Sequence, residues 1–560
     1  MGSSSRMMVR DDIARAVEAA VRAAQAAGDV PPVALPDVTV ERPQRAEYGD
    51  YATSLPLRLA RAAGMRPLDI AEAVRRHLPA LDAVAEATVA PPGFVNFRLR
   101  PEWLAAQVEE IRRAGEAFAD LDLGGGRTVQ VEFVSANPTG PVHVGNGRGA
   151  VFGSTLANVL AAAGYRVERE YYVNDAGTQI DAFARTLYAR YQQLCGRDAP
   201  LPEDGYPGEY MVDLAQEIRE RHGDAFLRPE GEPPPPELAD LGIQGMLARI
   251  RADLEALGVR YDVWFSERDL YRPGGLYEQT MALLRERGYV VEKEGAVWFT
   301  SSGLGDDRDN VLVRSSGEPT YFASDVAYHY DKFVVRGFDR VIDIWGADHQ
   351  GHVGRVKAAV AALGVDPDRL DILLYQLVTL RRGKEVVRLS KRGGDIITLR
   401  EVVDEVGADA CRFFFLARSH DSQMDFDLEL AKRQSNENPV YYVQYAHARI
   451  AGILNHAAER NIDYADGDVS LLRHPAELAL IRKMLQLPEL IEAVARALEP
   501  HHLPHYATDL ATEFHQFYTE CRVVSDDLAL TKARLKLVEA ARLTLARTLH
   551  LMGMTAPERM

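Results

Sequence analysis

Apolar side chains recur at helix spacing near the start of the chain. Ile13, Val17, Ala20, Val21 and Ala24 fall on one face between Asp11 and Ala27, and Gly28 ends the run. The period then shortens: Phe94-Val95-Asn96-Phe97-Arg98-Leu99 follows the turn Pro91-Pro92-Gly93 and predicts a strand. Residues 1–124 therefore predict a small α+β domain, closed by the hinge Gly124-Gly125-Gly126. A different pattern begins at Thr128. Thr128 to Val134 is β-rich and leads into a loop dense in Asn, Pro and Gly. A helix is predicted from about Gly147 to Ala163, stopped by Gly164, and a second strand from Arg166 to Val173. Strand, loop, helix and strand in this order predict a βαβ unit, whose parallel sheet binds ligands beyond the carboxyl ends of its strands. Asn174-Asp175 predicts the cap of a further helix. Helical and irregular patterns fill 185–297, broken at Gly231-Glu232 and Pro233 to Pro236, and predict an insertion. Strand signals return at Arg340 to Trp345 and at Ile372 to Leu380. After Thr398 nearly everything reads as amphipathic helix. The expected fold class is α/β. A Rossmann-type parallel-sheet domain spans 125–400 with its insertion at about 185–297, preceded by the α+β domain and followed by a helical linker at 401–437 and an all-α bundle at 438–560.

Composition adds bounds. The chain has 560 residues, 47% hydrophobic and 26% charged, ordinary for a globular protein and too long for one core, so three or more domains are expected. Cys195, Cys411 and Cys521 lie far apart. They indicate neither a disulfide framework nor a zinc site and fit a reducing, cytoplasmic setting. The longest conspicuous uncharged run, Gly149 to Tyr165, carries Ser154, Thr155 and Asn158 and falls short of the ~20 apolar residues of a membrane helix, so no membrane association is expected. Lys plus Arg number 65 against 82 Asp plus Glu, a formal charge of −17. That balance does not advertise a nucleic-acid binder, although a local basic surface can dock phosphates while the remainder repels them.

The densest chemistry lies between Val131 and Gly149. Gly145 at a helix start lets a base or phosphate approach the backbone. A helix N-terminus there offers free N–H groups to anionic oxygens, and the spacing of His143 and Asn146 aims both at one ligand. A Gly-rich turn with a capping Asn and a packed His accounts for the same residues. Downstream, Arg388-Leu389-Ser390-Lys391-Arg392-Gly393-Gly394 is a basic, Gly-terminated loop, read alone as a solvated surface turn. Asp325, before Val326-Ala327-Tyr328, has the setting of a helix N-cap, and Glu132 that of a charged edge-strand residue. His349 with His352, and His501 with His502 and His505, lack acidic or thiolate company, so packing or a helix start is expected of both and no metal site.

Taken together, these segments resemble the class I aminoacyl-tRNA synthetases, and among them the arginyl-tRNA synthetases. His143-Val144-Gly145-Asn146 stands in the position of the HIGH signature, with Asn146 in place of its last His. Arg388 to Arg392 stands in the position of KMSKS, with Lys391 as its second Lys. The resemblance implies that His143, Asn146 and Lys391 act at the ATP phosphates and that Gly145, Gly147, Gly346, Asp348 and Ser390 surround the nucleotide. It further implies that Glu132 and Asp325 grip a guanidinium in the planar, bidentate geometry such a group requires. Tyr321 would pack against the substrate, Asn137 would hold its α-amino group, and Ser135 would join the same site. Gly407 to Phe414, Asp425 to Leu428 and Asn438 to Arg449 resemble the family's anticodon-binding region. Tyr441 and Tyr445 are there either core or a stacking surface for splayed bases. Lys532 and Arg534, in a basic stretch, form a solvated helix face or a phosphate track. Met560 closes a terminus similar to one that lies near the anticodon in the family. Tyr48 to Thr53 and Pro91 to Leu99 resemble the extra domain that touches the tRNA elbow. The activity implied is that of an ATP-dependent, AMP-forming arginine–tRNA ligase acting on L-arginine, ATP with Mg2+, and tRNA. It would work as a monomer, without prosthetic group, structural metal or editing domain, and would need tRNA for activation. The competing expectation, motivated by Asn146 and the altered basic loop, is a tRNA-binding paralogue with weak or no aminoacylation activity.

Overall fold

The computed structural model describes residues 8–387 and 397–560; the loop carrying Ser390 and Lys391 lies outside them. The chain starts with α1 (Val9–Ala26), whose buried face includes the apolar positions that predicted it. Next come β1 (Tyr51–Thr53), α2 (Leu55–Ala63), α3 (Pro67–His77), β2 (Val84–Ala90) and β3 (Phe94–Leu99). The three strands form an antiparallel sheet in the order β1-β3-β2. Helix α4 (Pro101–Ala114) leads out of this domain.

The second unit alternates strand and helix: β4 (Thr128–Phe133), α5 (Val144–Ala162), β5 (Arg166–Val173), α6 (Thr178–Leu194), α7 (Glu209–His222), α8 (Pro236–Ala256) and β6 (Val263–Ser266). Helix α9 (Leu276–Glu286) precedes a separate antiparallel sheet of β7 (Val290–Lys293), β8 (Ala296–Phe299) and β9 (Asn310–Val313). The main sheet resumes through α10 (Tyr321–Tyr330), β10 (Arg340–Gly346), α11 (Val353–Ala362) and β11 (Leu370–Tyr375). Its five strands are all parallel, in the order β11-β10-β4-β5-β6. The stretch expected to be one insertion thus contributes β6 to the central sheet. Its four residues are too short a run to register against the surrounding helical pattern. The order reverses between β4 and β10, the place where an open parallel sheet leaves a crevice at its carboxyl edge. Helix α5 is buried on almost every side. A Cβ at Gly153 would come within 2.3 Å of the Phe133 ring, so the absent side chain lets α5 lie close against β4.

The remaining elements are β12 (Val378–Arg382), β13 (Glu385–Val386), α12 (Leu399–Val406), α13 (Ala408–Leu416), β14 (Met424–Asp427), α14 (Leu428–Lys432), α15 (Pro439–Glu459), α16 (Pro475–Met484), α17 (Leu487–Ala497), α18 (His502–Glu520) and α19 (Leu528–Leu551). β14, in a region expected to be helical, pairs in parallel with β12. The alternation of Met424 and Phe426 with two Asp residues explains it, since a strand buries every second residue. Among the described residues no helix is long and apolar enough to cross a membrane.

Arg412 of α13 ties three parts of the chain together. Its fully buried guanidinium donates to Met552 O (2.5 Å) beyond α19, Leu257 O (3.1 Å) beyond α8 and Ser154 Oγ (2.8 Å) of α5. Burial lowers its pKa to about 10, and Asp409 only partly opposes this. Replacing it strands buried acceptors, each worth about 1–3 kcal/mol when left unpaired. Arg412→Leu is expected to lower the unfolding free energy by about 2–5 kcal/mol, read as a lower urea midpoint, with Arg412→Lys falling between it and the wild type. An unchanged midpoint would contradict this role.

Candidate functional site

Three carboxylates stand side by side across the centre of the sheet. The strand register sets Glu132 of β4 opposite Glu170 of β5 on one side and Asp343 of β10 on the other. Like charges in such positions repel, and their compensation comes from one segment. At its end α10 passes into a π-turn, Asp331–Val335, a local widening of the helix that re-aims side chains. Lys332 Nζ donates to Glu132 Oε2 (2.6 Å) and to Asp343 Oδ1 (2.8 Å). Just past the turn, Arg336 holds Glu170 with two bonds (2.5 and 3.0 Å) and also pairs with Glu168. Tyr328 donates to Glu170 Oε1 (2.5 Å), and His329 Nε2 lies 2.9 Å from Asp343 Oδ2. Burial disfavours the Lys332 ammonium, but Asp343 and Glu132 outweigh it and raise its pKa. Burial also pushes the Glu132 pKa up, against Lys332 and with Asp343.

Beyond Phe133 the chain turns abruptly. Val134 and Ser135 adopt φ of +71° and +42°, a region costly for a β-branched residue and often found where function fixes the backbone. Val134, expected to extend the strand, is thus outside it. The turn aims Ser135 Oγ at Glu132 Oε1 (2.9 Å), while the same oxygen accepts from Tyr172 N (3.1 Å). Asn174 and Asp175 do not cap α6, whose N-cap is Gly177. Asn174 instead donates to Ser135 O (3.0 Å), and Asp175 accepts from Ser266 Oγ (2.6 Å) and Arg268 N (3.2 Å), which bind this loop to the end of β6.

A cavity of about 570 Å³ opens over the carboxyl ends of these strands. Among its lining residues are Glu132, Ser135, Asn137, Asn146, Tyr321, Asp325, Gly346 and Asp348, so the sheet and α10 bring these expected site residues to one space. Asn137 Nδ2 donates to Gln179 Oε1 (2.6 Å), and Tyr321 stands 56% exposed at the mouth. Burial raises the Asp325 pKa to about 7, against the lowering effects of His329 and Arg355. The cavity also contains Glu267, which the sequence reading missed. It is buried, its Oε2 lacks a hydrogen-bond partner among the described residues, and burial raises its pKa. The available signal was an acid directly after the aromatic run Val263-Trp264-Phe265-Ser266, masked by its helical surroundings.

His143 and Gly145 do not line this cavity. His143 is the N-cap of α5, and its Nδ1 accepts from Gly145 N (2.9 Å). Burial holds its pKa below the usual value, so the ring is neutral with its proton on Nε2. Gly147 is buried, and a Cβ there would lie 2.7 Å from Leu399 and 3.1 Å from Phe415, so its smallness serves helix packing. The chain that follows the Ser390–Lys391 loop is bonded to this turn, Val144 N to Ile397 O (3.0 Å) and Leu399 N to Val142 O (2.8 Å).

In the helical bundle Tyr445 and Met560 line a cavity of about 920 Å³ together with Arg449. Tyr441 stacks on Tyr445 with ring centres 5.7 Å apart. Lys532 pairs with Asp466 (2.7 Å) and Arg534 with Glu477 (2.7 Å). Glu499, His501 and His502 place one ligand-type atom each within 4.8 Å of one another, at the turn between α17 and α18. The acidic neighbour absent from the sequence reading is therefore Glu499.

Comparison with known proteins gives three successive family matches. Residues 8–99 match the arginyl tRNA synthetase N terminal domain, residues 108–425 the class I (R) tRNA synthetase catalytic domain, and residues 443–560 the DALR anticodon binding domain. The arginine–tRNA ligase of Dehalococcoides mccartyi strain CBDB1 is 58% identical over 557 residues, covering 100% of each chain. That of Heliobacterium modesticaldum is 50% identical over 559 residues, covering 99% of each. The solved arginyl-tRNA synthetase of Thermus thermophilus superposes with a TM-score of 0.75 at 26% identity, over 99% of this chain and 100% of that one.

The cavity's charge has a cost without a ligand. Asp325 holds a proton up to about pH 7 in the fold but loses it near pH 4 when unfolded. The folded state therefore binds more protons between these values, and stability falls as pH rises through that window. Asp325→Asn is expected to stabilise the ligand-free protein by about 1–3 kcal/mol at pH 8 and by less at pH 5. Thermal melts at the two pH values check this, and a gain larger at pH 5 would refute the assignment.

Proposed function

The chain belongs to the class I arginyl-tRNA synthetases, and from that premise we propose how, as an arginine–tRNA ligase, it divides the work among its residues. The substrate side chain enters the carboxylate-lined cavity and sets its guanidinium against Asp325 and Glu267, acids whose ionisation burial resists and a planar cation would favour. Glu132, paired with Lys332, adds negative charge at the floor. Tyr321 packs over the aliphatic stem, and Asn137, beside Ser135, holds the α-amino group. The convergence of Glu132, Asp325 and Glu267 on one cavity at the carboxyl edge of the sheet carries this reading. Lysine would satisfy fewer of these acceptors and leave buried carboxylates unpaired, so it is rejected at binding without an editing domain.

The nucleotide lies toward Asn146, Gly346 and Asp348, with Mg2+ carried on the ATP phosphates. The neutral His143 donates from Nε2 to a phosphate oxygen, and the Gly145 turn at the start of α5 offers its dipole. Asn146 can donate a hydrogen bond but brings no charge, so neutralisation of the developing charge falls to Lys391. The arginine carboxylate attacks the α-phosphorus and pyrophosphate leaves. The acyl group then passes from the adenylate to the 2′-hydroxyl of the terminal adenosine of tRNA, releasing AMP. No covalent enzyme intermediate is required, so catalysis consists of positioning and electrostatic stabilisation. The N-terminal domain meets the tRNA elbow, while Tyr441, Tyr445 and Met560 meet the anticodon. The enzyme acts as a monomer in the cytoplasm.

ATP–pyrophosphate exchange is expected with arginine alone and only when tRNA is present. Silence with every amino acid would instead fit a tRNA-binding paralogue. Lys391→Ala is expected to lower kcat by about 100-fold or more with tRNA affinity nearly unchanged, and full turnover would remove it from the phosphate site. Because Asp325 must lose its proton to hold the guanidinium, and burial sets its pKa at about 7, kcat/KM for arginine should rise between pH 6 and 8 and then level. A flat profile across that range would exclude Asp325 as the titrating group.

A further inference from the structure

We propose that Lys332 is a positioning residue for the amino-acid substrate, one that keeps Glu132 fixed and negatively charged at the floor of the cavity without touching the substrate itself. The proposal rests on the reading of this cavity as the arginine site. Lys332 is 0% exposed and does not line the cavity. Its ammonium lies between Glu132 Oε2 (2.6 Å) and Asp343 Oδ1 (2.8 Å), 4.1 Å from the centre of the Tyr328 ring. Glu132, by contrast, faces the cavity. The cation is thus one layer behind the carboxylate that meets the ligand.

A purely structural ion pair in this place would be hard to justify. Replacing a buried pair with apolar groups is often neutral or stabilising, whereas no apolar residue could keep a neighbouring acid charged. The other groups facing Glu132 do not supply that charge. Helix α10 presents Asp325, Tyr328 and His329, β10 presents Asp343, and β5 presents Tyr172 and Glu170. His329 is turned to Asp343 (2.9 Å), and Arg336 is committed to Glu170. Without Lys332, Glu132 and Asp343 would be two adjacent carboxylates in a buried row, and such pairs retain a proton near neutral pH. Ser135 Oγ fixes the other oxygen of Glu132 (2.9 Å), so lysine and serine together set its orientation.

The test uses the full-length chain in tRNA-dependent pyrophosphate exchange. For Lys332→Met the arginine KM should rise at least about tenfold at pH 7 while the ATP KM stays within about twofold. The excess over the wild type should shrink at pH 8.5, because rising pH favours the ionised form of Glu132 when its cation is gone. Because Lys332 acts through Glu132, Glu132→Gln and the double variant Glu132→Gln/Lys332→Met should share one arginine KM, so the penalties do not multiply. If Lys332→Met fails to fold by circular dichroism, that last comparison carries the test, since the double variant has one buried carboxylate fewer to compensate. An arginine KM unchanged in Lys332→Met, a rise equal at both pH values, or a double variant clearly worse than Glu132→Gln would overturn the role of Lys332. An arginine KM in Glu132→Gln equal to that of the wild type would instead defeat the assignment of the cavity.

Discussion

The row of Glu170, Glu132 and Asp343 across three adjacent strands is the constraint on which the rest of the site depends. Three acids in register at the centre of a buried sheet repel one another, and each resists leaving water. The fold answers with Lys332 and Arg336, both delivered by the chain at the end of α10. The same helix carries Asp325, while Glu267 follows the edge strand β6. Among the described residues neither of these acids has an ion pair like that of Glu132 with Lys332; His329 and Arg355 act on Asp325 without a salt bridge, and burial raises the pKa of both acids. The molecule thus pairs the in-register row with internal cations, Glu132 included although it faces the cavity, and leaves Asp325 and Glu267 with their ionisation resisted by burial. On the proposed reading, a cationic substrate would complete an electrostatic arrangement that the empty protein holds at a cost, the general trade of stability for function at prepared sites.

Helix α5 connects this arrangement to the remainder of the chain. Its N-terminus presents His143, and its next turn carries Arg148, whose guanidinium donates to the carbonyls of Gln376, Ser419 and Ser422. Farther along, Ser154 meets Arg412 of α13, and Asn158 donates to Leu551 O at the end of α19. These arginines bind carbonyl and hydroxyl oxygens rather than carboxylates. Such contacts fix direction through the planar fork of the side chain, and their loss leaves unpaired backbone acceptors rather than exposed charges. Helix α5 is therefore tied by directional bonds to the segments around β12, β14 and α13 and to the end of α19.

Much of this was legible in the sequence because it rests on local pattern. Periodicity located α1, the β4–α5–β5 unit and the helical C-terminal region, and the resemblance to arginyl-tRNA synthetases brought Glu132, Asn146, Tyr321 and Asp325 to attention. What escaped depends on contacts between distant residues. Lys332 lies in a helical run where nothing marks it as internal, and it becomes so only because a π-turn rotates it between two strands. Glu267 follows a four-residue strand within a long helical stretch. Gly147 had the setting of a ligand glycine, yet its missing side chain makes room for Leu399 and Phe415, partners more than 200 residues away.

Charge was the least readable property. Lys532 and Arg534 form a basic stretch with Lys536, and a basic stretch in a nucleic-acid enzyme suggests phosphate contacts. In the fold Lys532 meets Asp466, Arg534 meets Glu477, and Lys536 meets Glu109 beside the nearby Arg112–Glu539 pair. Linear clustering records only which residues are neighbours in the chain, whereas the charge a partner meets is what remains after the fold has paired them. In an acidic chain of net charge −17, a cation on a helix has many acids to find before it reaches solvent. The aromatic pair Tyr441 and Tyr445 is different: the rings stack on each other and Arg449 lies over Tyr445, a contact that does not depend on pairing opposite charges.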